Sequence, residues 1–185
     1  MTSATTAWAG RWRTCCVAAL AFGLHAAPAW PQPSLTEAQA KAAFVLNFAR
    51  YVEWPAGAFA SPQTPMVACL VGRDTLGSAL SALEGRQVQG RPLKVRRGVV
   101  PDDMRGCHLV FIGEAEERRT LPILRALAGQ PVLTVSDTER FVEAGGAIGL
   151  VLGEERLQFE VNRNALEQAQ LKASASLLKL ARNIP

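Results

Sequence analysis

Residues 109–135 read LVFIGEAEERRTLPILRALAGQPVLTV. Leu109 to Ile112 and Val132 to Val135 are near-continuous apolar runs, the composition of strands covered on both faces. Between them, Arg118 to Leu127 carries helix-compatible spacing, so the stretch predicts a βαβ unit with parallel strands. Working outward, similar runs recur at Met66 to Val71, Leu93 to Val95 and Ile148 to Leu152, with another helical spacing around Leu76 to Leu83. The expectation is an α/β fold, a single-domain and mostly parallel sheet flanked by helices in a three-layer sandwich. Leu157-Gln158-Phe159-Glu160-Val161 differs by alternating apolar with polar residues. After a turn at Gly153 to Glu155, it predicts a C-terminal antiparallel edge strand with Leu157, Phe159 and Val161 inward and Gln158 and Glu160 on an open face.

Both ends of this pattern read as helical. Ser34-Leu35-Thr36-Glu37 has the Ser-x-x-Glu form of a capping box, so a helix is expected from there to about Val52, ahead of Trp54-Pro55. Its apolar residues form two stripes, Ala38, Ala42, Val45, Ala49 and Val52 on one and Phe44, Phe48 and Tyr51 on the other. Two stripes exceed a single core-facing face. The helix is therefore either sandwiched in the core or meets another chain, with Phe44, Phe48 and Tyr51 as the dimer contact. At the other end, Leu177, Leu180, Ala181 and Ile184 fall at i, i+3, i+4 and i+7 and predict a closing helix docked on the sheet.

Residues 1–29 have the form of a secretory signal peptide: Arg11 and Arg13 precede an apolar run from Cys15 to Leu24, which ends in Ala27-Pro28-Ala29. Cleavage near Ala29 would leave 30–185 as one domain. The formal charge of +4 includes the two leader arginines, so the mature chain carries about +2, too little for a nucleic-acid reading. Only Cys69 and Cys107 remain after the leader, and in an oxidising compartment such a pair is a disulfide candidate, two separate buried thiols being the alternative.

Catalytic chemistry finds few parts. His108 is the one histidine beyond the leader, which argues against a Ser-His-Asp triad or a zinc centre and favours a structural role. Gly145-Gly146-Ala147-Ile148-Gly149 precedes its strand, whereas a phosphate loop follows one, so a tight turn is expected. Gly85 to Gly90 has Walker spacing without the following Lys-Ser/Thr. Ser136-Asp137-Thr138-Glu139 follows a strand, where Arg73, Asp74 and Glu114 would also gather; it reads as a second capping box, with a small-ligand crevice as the competing reading. No catalytic residue, cofactor or metal is assigned.

Residues 41–55, KAAFVLNFARYVEWP, closely resemble the opening signature of the YfiR family of periplasmic proteins. Further matches follow in order: residues 69–72 CLVG, 106–112 GCHLVFI, 132–137 VLTVSD, 141–146 FVEAGG, 159–162 FEVN and 177–181 LLKLA. The resemblance implies a periplasmic regulator that binds and represses an inner-membrane diguanylate cyclase through its periplasmic sensor domain, lowering cyclic-di-GMP. It implies an outer-membrane lipoprotein as a second partner and a homodimer, with no enzymatic activity. The family's first disulfide is similar in position to Cys69 and Cys107, but the second has no counterpart here. Lys172 and Ser174 stand where basic contacts to a bound tryptophan are expected, so that ligand is not carried over. The segment implicated in holding the cyclase matches Glu160 and Leu166, which are the partner-binding candidates. A periplasmic small-ligand binding protein is the alternative function.

Overall fold

The computed structural model describes residues 35–72, 76–153 and 156–182, all inside the compact unit Ser34–Pro185. The leader, Ser34, Arg73, Asp74 and Ile184 lie outside the described residues.

The first helix, α1 (Glu37–Tyr51), starts two residues later than the Ser34 frame requires. Thr36 is the cap: its hydroxyl accepts from the Gln39 amide at 3.2 Å, and the Gln39 side chain accepts from the Thr36 amide at 2.8 Å. Glu37 instead occupies the first turn, where its charge suits the helix N-terminus and it pairs with Lys41 one turn on at 2.7 Å. The helix stops ahead of Trp54-Pro55 as expected, and the Gln89 side-chain amide donates to the carbonyls of Ala49, Arg50 and Val52 there.

Seven strands form the main sheet, in the order β3 (Gln87–Val88), β4 (Arg91–Val99), β2 (Met66–Val71), β5 (Leu109–Ile112), β6 (Leu133–Ser136), β7 (Ile148–Leu152), β8 (Leu157–Val161). The five inner strands are parallel, and the two outer ones are antiparallel to their neighbours. The sequence reading placed the inner strands and the antiparallel β8. It missed β3 and cut β4 short, because Arg96 and Arg97 end the apolar run that starts at Leu93. The β3–β4 turn at Gln89-Gly90 has φ of 52° and 77°, the left-handed pair that a two-residue hairpin needs. A separate ladder joins β1 (Val52–Glu53) to β9 (Lys172–Ala173), pairing Val52 with Ala173.

The pleat sorts the core into two layers. Ala68, Leu70, Leu109, Phe111, Leu133 and Val135 pack with α1 and with Leu80, Leu166 and Leu177 of α2 (Gly77–Ser81), α4 (Arg163–Gln168) and α5 (Ala175–Leu180). Cys69, Val71, Val110 and Ile112 face the opposite way, onto Ile123 and Leu127 of α3 (Thr120–Leu127). From β2 the chain moves through α2 to β4 on one side; from β5 it moves through α3 to β6 on the other. Right-handed crossovers in opposite directions place their helices on opposite faces, which produces the three layers.

Cys69 and Cys107 are bonded, with Cα atoms 5.9 Å apart, as their positions on and just before neighbouring strands allow. The closing helix is shorter than its spacing implied. α5 is capped by Ser174, buries Leu177, and ends at Leu180, which is 75% exposed because Ala181 is already extended. No helix follows Ser136-Asp137-Thr138-Glu139 either. The Ser136 hydroxyl is spent on the Ile112 carbonyl and the Thr138 amide, and turns lead on to β7. The glycine-rich segment 145–149 leads into β7 as a turn.

Candidate partner-binding surface

In open parallel sheets a small ligand sits beyond the carboxyl ends of the strands, where the winding reverses. Here the reversal falls between β2 and β5, and Asp137 and Glu116 near it are engaged by neighbouring residues. Asp137 accepts from Lys41 Nζ at 2.7 Å and from the Glu114 amide at 3.0 Å. Burial alone would lower the Lys41 ammonium, but its hydrogen bonds to Asp137 and Glu37 outweigh this and raise its pKa. Gly72 lies so close to the Glu116 side chain that a Cβ there would overlap the carboxylate, and Glu116 is paired with Arg119 at 3.1 Å. Asp137 at the foreseen crevice is thus engaged by Lys41 and by the Glu114 main chain, while Thr138 and Glu139 line a cavity of 360 Å³.

His108 sits at the opposite, amino-terminal end of the strands. Its Nδ1 accepts from the Val67 amide at 3.1 Å, which assigns the ring proton to Nε2, 3.1 Å from the Ala58 carbonyl. Phe59 stacks on the ring at 4.2 Å, and the Arg91 guanidinium lies 3.9 Å from the Phe59 centroid while donating to the carbonyls of Ser61, Pro62 and Thr64. His108 is a structural residue that anchors the loop before β2. Burial, aided by the Arg91 charge and opposed by the Ala58 carbonyl, lowers its pKa below the ordinary 6.5. A depressed histidine favours the neutral form in the fold, so its contribution is complete above about pH 6.5 and is lost as pH falls through the lower folded value. Urea unfolding at pH 7.5 and 5.5 is expected to show lower stability at the acid value. A His108→Gln variant should lose that difference, and an unchanged difference would assign the acid sensitivity elsewhere.

The third region is the free margin of the sheet. On β8, Phe159 and Val161 are buried, while Gln158 and Glu160 are half-buried on the other face, opposite Val151 and Gly149. The residue-by-residue alternation was legible in the sequence, and Glu160 has the open position it implied.

The profile described as YfiR/HmsC-like, DUF4154, matches residues 38–182. The chain belongs to the YfiR/HmsC-like family. Among solved structures, a conserved domain protein from Vibrio cholerae is similar with a TM-score of 0.56 at 10% identity, over 80% of this chain and 60% of that one. The ABC domain in complex with L-Trp from Streptococcus pneumonia is similar with a TM-score of 0.52 at 7% identity, over 78% and 62%. At such identities the likeness shows the fold alone. The YfiR/HmsC-like chain spans about three fifths of each of these structures.

The fold separates the residues expected to bind partners in this YfiR/HmsC-like chain. Leu166 is 3% exposed and belongs to the core with Leu171 and Leu177, so it backs the surface from beneath and does not form it. Phe48 is 1% exposed and Phe44 half-buried, both against Phe159; only Tyr51 of that stripe, 48% exposed, remains on the surface. Full burial therefore explains most of the second stripe without a partner chain. Sequence reasoning missed Gln89, Arg91 and Lys41, whose partners lie on distant segments; the turn signal Gln89-Gly90 was the single local clue.

Proposed function

We propose that the protein is exported with residues 1–29 removed and represses an inner-membrane diguanylate cyclase by binding its periplasmic sensor domain, without chemistry of its own. The observation that carries this reading is the family match across residues 38–182, nearly the whole described unit. Glu160, half-buried on the open face of the outer strand, is the anchor assigned to the cyclase. An outer-membrane lipoprotein that withdraws the repressor is part of the same proposal. So is a homodimer through a surface that includes Tyr51, for which light scattering should report a dimer that Tyr51→Asp dissolves.

A charge at the centre of a desolvated interface cannot be reversed without leaving the partner's group buried and unpaired, whereas an exposed rim charge costs little. Glu160→Lys is therefore expected to release the cyclase and raise cyclic-di-GMP and surface attachment to the level of a deletion strain. Wild-type cyclic-di-GMP in cells holding a folded, exported Glu160→Lys protein would show that this surface does not repress.

A further inference from the structure

The sheet margin holds a second feature, on the face opposite Glu160. Two bonds fix the phase of the β7–β8 ladder: the Gly153 amide donates to Arg156, and the Asn162 amide to Ala147. In an antiparallel pair the backbone groups of alternate residues point inward and outward. Residues 156, 158, 160 and 162 therefore bond to β7, and Leu157, Phe159 and Val161 turn their amides and carbonyls to the open edge. One of these outward groups is already used, since the Arg182 amide donates to the Phe159 carbonyl at 2.8 Å. The edge thus accepts main-chain hydrogen bonds from an extended segment.

Beside this edge, between β8, α1 and α5, lies a groove of 520 Å³. Its floor is apolar, from Phe44, Leu157 and Leu180, and its rim carries Arg156, Lys179 and Arg182. Leu180 is 75% exposed, and Leu152, the cross-strand partner of Leu157, is 67% exposed. Among the described residues, none of the three cations has an ion-pair partner. Exposed leucines grouped under unpaired cations are costly on a surface that meets only water and mark an interaction site. Open strand edges are likewise a template for an added chain.

We propose that this groove binds a short extended segment of a partner protein that combines acidic with apolar side chains. Its main chain bonds to the outward groups of Leu157, its apolar residues cover Leu157 and Leu180, and its carboxylates meet Arg156, Lys179 and Arg182. This is strand addition, in which backbone bonds give affinity and side-chain pockets give selectivity. Charge complementarity selects an acidic segment, and the outward groups of Leu157, without a partner among the described residues, select a polypeptide over a lipid or a free anion. The inference does not require that the partner be the cyclase.

Fluorescence anisotropy with the purified protein tests it, using a labelled Asp-Leu-Asp-Leu-Asp-Glu peptide and a control in which lysine replaces each acid. The acidic peptide is expected to bind and to weaken as salt rises, and the lysine peptide to bind at least tenfold less tightly. Lys179→Glu combined with Arg182→Glu should lower affinity at least tenfold and Leu180→Asp at least fivefold. Arg118→Glu, a charge reversal on the distant turn before α3, should leave it unchanged. If the double variant fails to fold, Arg156→Glu replaces it, with the same tenfold loss expected. Absence of binding, equal affinity for the two peptides, or wild-type affinity in the rim variants would overturn the proposal. So would rim-dependent sedimentation with phosphatidylglycerol vesicles in the absence of peptide binding, which would make the site a lipid contact. Mutual occupation of the groove by two copies, seen as a dimer that Leu180→Asp dissolves while the peptide fails to bind, would overturn it as well.

Discussion

Phe48→Ala is expected to destabilise the protein by about 3 to 5 kcal/mol, the range for removing a buried aromatic from a packed core. The Phe48 ring lies 5.1 Å from that of Phe159 and 5.8 Å from that of Phe44, so truncation removes two aromatic contacts, each worth about 0.5 to 1.5 kcal/mol beyond burial. Collapse of α1 into the cavity is resisted at both ends of the helix, by Lys41 on Asp137 near its start and by Gln89 on its final carbonyls. The loss should therefore fall in the upper part of the range. Urea unfolding monitored by circular dichroism measures it, and Phe44→Ala, at a half-buried position, should cost clearly less. A loss below about 1.5 kcal/mol for Phe48→Ala would mean that the helix moves freely on the sheet, against the restraints described.

Replacement of both Cys69 and Cys107 by alanine should cost about 2 to 4 kcal/mol. The bond spans a sequence separation of 38, and closing a loop of that size restricts the unfolded chain by about 4 kcal/mol in the entropy model. Alanine avoids placing a hydroxyl among Val71, Val110 and Ile123, where it would add a desolvation cost of its own. Denaturation with and without reductant separates the contributions. The wild type should lose stability on reduction and the double variant should not respond. Equal midpoints for the oxidised wild type and the variant would show that the bond adds nothing to the fold.

The parts of this architecture that were legible in the sequence are those whose signal is local. Met66 to Val71 and Leu109 to Ile112 are buried on both faces and are apolar throughout, and Leu157 to Val161 alternates because one of its faces is open. β4 was under-read because a strand near a margin carries Arg96 and Arg97 where the register with β2 shifts, and resumes its pairing at Val99. The capping box at Ser136 misled for a related reason. The same side chain that caps a helix also closes a turn, and at Ser136 the neighbouring Ile112 carbonyl, brought in by strand pairing, decides between them. Of the partner-binding candidates, Glu160 owes its open position to alternation that the sequence displays, while its role came from the family resemblance. Leu166 and the Phe44, Phe48 and Tyr51 stripe required knowledge of which face α1 and α4 present to the sheet, and that is a property of the packed whole.

The contact of α1 with Phe159, and the ladder that joins Val52 to Ala173, also govern the order of assembly. The helix that emerges first among the described elements finds its aromatic partner only when β8 exists, and its C-terminal strand only when β9 does. Closure across such long sequence separations is slow, because loop entropy is lost before any contact compensates for it. A chain still growing therefore keeps the apolar side of α1 uncovered until its last segments arrive. That delay makes the interval before completion the time at which a chaperone has most to shield.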